Sequence, residues 1–158
     1  MTTLTLGTKI PDIKADSTAG AWRLKDVAGS TVVLYFYPKD DTSGCTKEGE
    51  AFRDLYAKFK KAGVLIFGVS PDSLASHEKF RAKYDFPFDL IADTEKAVCE
   101  HFDVWKEKSM YGRKYMGVER STFLIDAKGV LQAEWRKVKV PGHAEEVLSA
   151  ALALVSKA

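Results

Sequence analysis

A chain of 158 residues, 46% hydrophobic and 29% charged, has the length and composition of one compact domain over 1–158, which excludes an intrinsically disordered scaffold. Its 24 basic and 22 acidic side chains leave a net charge of +2 and are interspersed, so the electrostatic footprint of a nucleic-acid binder is missing. Two cysteines, Cys45 and Cys99, rule out a disulfide scaffold and a four-cysteine zinc site, and no apolar run approaches the roughly 20 residues that span a bilayer.

The opening segment, MTTLTLGTKIPDIKAD, carries no basic region followed by a long apolar stretch, so no secretory leader is expected and the cytoplasm is the expected location. An N-terminal β segment leads to residues 31–37, TVVLYFY, whose unbroken β-branched and aromatic content predicts a central strand buried on both faces, ended by Pro38. Beyond the loop 39–44, apolar Phe52, Leu55, Tyr56 and Phe59 recur at helical spacing, which predicts a helix with one buried face stopped by Gly63. Residues 64–69, VLIFGV, give a second buried strand, parallel to the first because a helix intervenes. Ser70, Pro71, Asp72 and Ser73 signal a helix start, with Leu74, His77, Phe80 and Tyr84 near one face of a helix through about residue 83. Residues 85–91 read as loop into short strand, and Asp93 and Thr94 cap a brief helix carrying Ala97, Val98 and Phe102. The polar, aperiodic stretch 106–117, KEKSMYGRKYMG, reads as a surface loop beside Trp105. Residues 119–126 and 130–137 flank a tight turn and predict an antiparallel hairpin. A last helix over about 143–155 shows a stripe of Val147, Leu148, Ala151, Leu152 and Val155.

This order predicts an α/β architecture, a mixed central sheet with helices on both faces, which a thioredoxin-like fold fits best and a flavodoxin-like fold second. The loop after the first buried strand, PKDDTSGC, lacks the glycine-rich phosphate cradle of the second reading, so nucleotide binding has no support. Cys45 instead stands at the start of the amphipathic helix, near unpaired N–H groups and the positive end of the helix dipole, a position that favours thiolate over thiol. The alternative for any cysteine is that of a small buried hydrophobe, and loop-to-helix placement beside Thr42 and Gly44 favours chemistry.

The segment 35–49, YFYPKDDTSGCTKEG, resembles the active-site segment of the peroxiredoxins, in particular the bacterioferritin comigratory protein or PrxQ group. The resemblance covers nearly the whole chain, including 93–105 and 111–117, and ERSTFLID at 119–126 is similar to the segment that carries the family's arginine. It implies that Cys45 is the peroxidatic nucleophile, that the Thr42 hydroxyl bonds the peroxide, that Pro38 shields the thiolate and that Arg120 completes the site. Those residue types suit the reaction: thiolate attack on an O–O bond builds charge on the departing oxygen, which a fixed cation and hydroxyl or amide donors stabilise most in the transition state. Arginine stays charged and presents a fixed fork of donors. Its commoner fate is a surface ion pair, here with Glu119 or Asp126. Glu48 either orients Arg120 or sits in the first helical turn as a dipole partner.

The implied cycle reduces hydrogen peroxide or an organic hydroperoxide to water or alcohol through a Cys45 sulfenic acid, with no metal or flavin and with external thiol as reductant. The sequence departs from its relatives where they carry a resolving cysteine: five residues after Cys45 stands Glu50, and the matching stretch of the next helix, 77–83, has Arg81. Cys99 has apolar neighbours and reads as core filler rather than resolving cysteine, so a one-cysteine cycle is expected, reduced by glutathione, thioredoxin or glutaredoxin. Ser43 replaces a usual proline and Lys106 a usual glycine, and neither touches the expected chemistry. The competing readings are a two-cysteine cycle through a Cys45–Cys99 disulfide and a non-catalytic redox-sensing or holdase module on the same fold. A dithiol oxidoreductase needs a second thiol at position 48, which is Glu48. A metal site from Cys45, Cys99, His77, His101 and His143 lacks ligand spacing, because the one short pair, Cys99 and His101, diverges on a helix. A monomer is expected, since no long apolar stripe demands a partner.

Overall fold

The computed structural model describes residues 5–157; the outermost residues of the 1–158 unit, including the first four of the segment read as lacking a leader, lie outside that range. In chain order it contains β1 (Lys14–Ser17), β2 (Gly20–Arg23), a 3-10 turn (Leu24–Val27), β3 (Thr31–Phe36), α1 (Ser43–Lys61), β4 (Val64–Ser70), α2 (Leu74–Lys83) and β5 (Asp89–Ala92). There follow α3 (Ala97–His101), β6 (Trp105–Met110), β7 (Arg113–Val118), β8 (Ser121–Ile125), β9 (Leu131–Trp135) and α4 (His143–Ser156). Seven strands form one sheet in the order β2-β1-β5-β4-β3-β8-β9. The strands β3, β4 and β5 are mutually parallel, and the β1–β5, β3–β8 and β8–β9 pairs are antiparallel, so the sheet is mixed as expected.

Both faces of β3 are covered because, after Thr31, its side chains are aliphatic or aromatic and alternate across the pleat. Val32, Leu34 and Phe36 join Ile10, Leu24, Val98, Cys99 and Phe102 in one hydrophobic cluster. Val33, Tyr35 and the adjoining Tyr37 join Cys45, Phe52, Phe59, Phe80 and Val147 in another. Helices α1, α2 and α4 therefore cover one face of the sheet, and α3 with the 3-10 turn covers the other. Close approach on the crowded face needs Gly49, where a Cβ would stand 2.5 Å from the Phe86 ring.

Two expectations are corrected. Residues 106–117 are not a loop: β6 and β7 form a separate two-stranded ladder from Trp105↔Val118 to Met110↔Arg113. Tyr111 and Gly112 make its turn with positive φ at both positions, 52° and 77°, the geometry that matches the twist of a hairpin. On α4, Leu152 is 44% exposed, while His143 and Ala144 join Val147, Leu148 and Ala151 in the buried face. Lys96 stands at the cap position of α3, and of the expected pair Asp93 alone serves the helix start, its carboxylate accepting from the N–H groups of Val98 and Cys99. No helix among the described residues is long and apolar enough to cross a membrane.

Candidate active site

The chain leaves β3 at its C-terminal end, runs through Pro38 to Thr42, and enters α1, with Thr42 at the cap position and Cys45 in the first turn. The first hydrogen bond across this turn runs from Thr46 N–H to Thr42 O at 2.8 Å, so the preceding N–H groups have no partner within the helix. Cys45 is buried, and its Sγ accepts from Arg120 Nη2 at 3.3 Å. The other arm of the same guanidinium, Nη1, donates to Glu48 Oε1 at 2.6 Å. Glu48 lies one turn below Cys45 on α1, so a single arginine, the residue just before β8, bridges two positions of one helix, 72 and 75 residues away in sequence. Gly44 leaves room for it: a Cβ there would stand 3.2 Å from Nη2.

Burial pushes the Glu48 carboxyl up to about 7, against the pull of Arg120's charge and hydrogen bond. Burial also opposes the charge of Arg120, but Glu48 and Cys45 outweigh it and hold the guanidinium above its ordinary value. Glu48 Oε2 is buried without a partner, as is the Tyr35 hydroxyl, whose ionisation burial and the Glu48 charge push far up. Glu48 is paired with Arg120 through Oε1. Arg120 accordingly does not take the surface pairing with Glu119 or Asp126.

Pro38 is half-buried at the start of the loop. The Thr42 hydroxyl donates to Lys39 O at 2.8 Å, so its proton closes a turn within the loop while its oxygen retains lone pairs. Cys99 is fully buried in the cluster on the opposite face of the sheet from Cys45, and burial together with the Asp93 charge pushes its thiol far above the ordinary range. The five cysteines and histidines weighed as metal ligands are not brought together; among the described residues one group has ligand atoms within 4.8 Å of one another, Asp40, Asp72 and His77.

Three residues near the site escaped sequence reasoning. Lys108, on β6, is partly buried, and burial and the Arg120 charge depress its ammonium. Thr122 and His143 share a buried 2.7 Å hydrogen bond next to Arg120, with the imidazole pushed down to about 4 by burial. Nothing local in 106–117 or at His143 ties either to Arg120: the first is polar and aperiodic, and the second stands at the start of α4, more than 20 residues further along the chain.

A buried thiol at the head of a helix, met by an arginine that a buried carboxylate fixes, is the equipment of a thiol-dependent peroxidase. Comparison with known proteins gives the same class. The chain matches the AhpC/TSA family over residues 6–134. It is 50% identical over 147 residues to peroxiredoxin Bcp of Bacillus subtilis, covering 92% of this chain and 94% of that one. It is 40% identical over 126 residues to peroxiredoxin Bcp of Escherichia coli, covering 80% and 81%. Among solved structures, peroxiredoxin Q of Xanthomonas campestris superimposes with a TM-score of 0.86 at 49% identity over 90% of this chain and 91% of that one. A PrxQ mutant of Xylella fastidiosa gives 0.91 at 40% identity over 97% and 98%. The protein therefore belongs to the AhpC/TSA family, in its Bcp/PrxQ branch, and has the thioredoxin-like fold of that branch.

Proposed function

We propose that Cys45 is the peroxidatic nucleophile of a one-cysteine cycle that reduces hydrogen peroxide and organic hydroperoxides. The observation that carries this reading is the shared guanidinium: Arg120 reaches the Cys45 sulfur at 3.3 Å while Glu48 fixes its other arm at 2.6 Å. The Cys45 thiolate attacks one peroxide oxygen, the O–O bond breaks, and the sulfur becomes sulfenic acid. The departing oxygen leaves as hydroxide or alkoxide and takes up a proton, giving water or alcohol. Arg120 and the free N–H groups at the head of α1 oppose the charge that develops on that oxygen. Thr42, with its proton on Lys39 O, accepts from the hydroperoxide O–H, and Pro38 walls the thiolate from bulk water. An external thiol then condenses with the sulfenic acid, releasing water, and a second thiol frees Cys45 as external disulfide forms. The electrons come from thiol, with no metal or flavin in the cycle. A structure of the bacterioferritin comigratory protein of Xanthomonas campestris concerns alkyl peroxide reduction, which supports including organic hydroperoxides.

Glutathione, thioredoxin or glutaredoxin is the reductant of this reading, the cytoplasm its compartment and a monomer its working form; two unpaired buried thiols suit a reducing environment. The two-cysteine alternative is disfavoured because Cys45 and Cys99 lie on opposite faces of the sheet, whereas a disulfide needs Cα atoms within roughly 7 Å. Intact mass after one equivalent of peroxide tests the cycle: the parent gains one oxygen and Cys45→Ser gains none and turns over no peroxide. Peroxidase turnover by a folded Cys45→Ser protein overturns the assignment.

A further inference from the structure

The Pro38 to Thr42 loop is tied to α2 through two consecutive aspartates. Asp40 is buried, and its carboxylate accepts from Tyr37 Oη at 2.7 Å, Ser76 Oγ at 2.8 Å and His77 Nδ1 at 2.7 Å. Its backbone N–H donates at 2.9 Å to Asp72, whose carboxylate also accepts from Ser70 Oγ at 2.6 Å. The next residue, Asp41, sits at φ +56°, a left-handed conformation that costs a non-glycine residue energy, and its carboxylate accepts from Lys83 Nζ and Tyr84 Oη at 2.7 Å each. Anchors thus come from both ends of α2, Ser76 and His77 at the start and Lys83 and Tyr84 at the finish.

His77 is fully buried, and its second nitrogen, Nε2, faces the Ile91 carbonyl at 2.8 Å. A carbonyl only accepts, so Nε2 carries a proton, and Nδ1 shares a hydrogen bond with the Asp40 carboxylate on the other side of the ring. The ring is therefore a brace from the loop to β5. The three groups whose spacing would suit a cation have their facing atoms committed to one another and to Ser70, Ser76 and Tyr37, which makes them a structural lock.

We propose that α2 is the positioning element of the peroxide-binding loop, with the Asp40–His77 bond as its lock: it sets the position of Pro38 and Thr42, two residues to either side of Asp40, relative to Cys45. The proposal rests on the peroxidatic reading of Cys45. None of the locking residues touches substrate; they act through the loop. Misplacing a substrate-binding group by about 1 Å costs up to about 10²-fold in rate, so releasing the lock should be felt in the oxidation step.

Two isosteres of the histidine separate positioning from mere stability. His77→Asn keeps a donor near Nδ1 and loses the Ile91 contact, whereas His77→Gln reaches Ile91 and loses Asp40. Both should lower the melting temperature by similar amounts. His77→Gln should lower the second-order rate constant for Cys45 oxidation about tenfold or more and His77→Asn no more than about threefold. The amide of Asp40 should exchange with solvent faster in His77→Gln alone. Equal rate losses in the two variants, or none, overturn the proposal. Should His77→Gln fail to fold, Ser76→Ala removes one donor to Asp40 at a partly exposed position; a twofold to threefold loss of rate is then expected, roughly, and an unchanged rate overturns the proposal. The parent protein is measured alongside: absence of Cys45-dependent oxidation there would refute the function and leave the lock a separate question of loop exchange, in which unchanged Asp40 exchange in His77→Gln counts against it.

Discussion

Replacing Arg120 by alanine removes both hydrogen bonds of the guanidinium, the 3.3 Å contact to the Cys45 sulfur and the 2.6 Å contact to Glu48. The two losses have different readouts. Removing one preorganised donor from a developing oxyanion costs about 2.7–4 kcal/mol, which is about 10²–10³ in rate, and Arg120 is 17% exposed, so solvent does little to compensate. Stopped-flow consumption of peroxide by reduced protein should fall by that factor. The second loss leaves Glu48, 1% exposed, without a partner on either oxygen. An orphaned buried charge costs about 3–5 kcal/mol, but a carboxyl already pushed up to about 7 escapes part of that by binding a proton. A folded-state value above the unfolded one means that the folded state binds the extra proton, so stability falls as pH rises through that window. The alanine variant should therefore lose more stability against the parent near about pH 8 than near about pH 6, and adding Glu48→Gln should relieve much of the loss. Arg120→Lys keeps a charge but its single ammonium cannot hold sulfur and carboxylate together, so it should recover stability more than rate. A peroxide rate constant for Arg120→Ala within about threefold of the parent would refute the reasoning.

Cys99→Ala should cost about 1 kcal/mol or a little more through its small cavity and leave thiol-dependent peroxide turnover within about twofold of the parent, while loss of turnover would restore the two-cysteine cycle. His143, held by burial at about 4 against an ordinary 6.5, stays neutral in the fold and binds a proton first in the unfolded chain. Stability should consequently drop as pH falls from 6.5 towards 4, by no more than about 3.4 kcal/mol, and denaturant melts of His143→Gln should show a flatter acid limb; parallel limbs would exclude His143 as the cause.

The parts of the fold that could be read in the sequence are those whose signal is local. The run 31–37 announces a strand covered on both faces because no charged side chain and no polar alternation interrupt it, and β3 is an interior strand between β4 and β8. The β6–β7 hairpin escaped because its ladder is exposed from Lys106 onward apart from a few half-buried side chains, leaving no apolar alternation; the positive-φ Tyr111–Gly112 pair was the available sign. At the site, Cys45, Thr42 and Pro38 belong to one contiguous segment and Arg120 came through resemblance. The bond between Glu48 and Arg120 was one of two open readings, since nothing local distinguishes a first-turn glutamate that pairs from one that does not. Asp40 carries no local sign of the link to α2, because its partners there, Ser76 and His77, lie 36 and 37 residues further on.

The sheet that divides the two hydrophobic clusters also divides the two sulfurs. On the proposed cycle an oxidised Cys45 has no thiol of its own chain within reach, so the lifetime of the sulfenic acid is decided by how fast thiols arrive from outside. Under a surge of peroxide the oxidant competes for the same sulfur, and a second oxygen gives sulfinic acid, from which simple thiols do not return it. The partition between reset and permanent inactivation then becomes a ratio of two concentrations, thiol to peroxide, and the protein's surviving activity a record of how that ratio has stood.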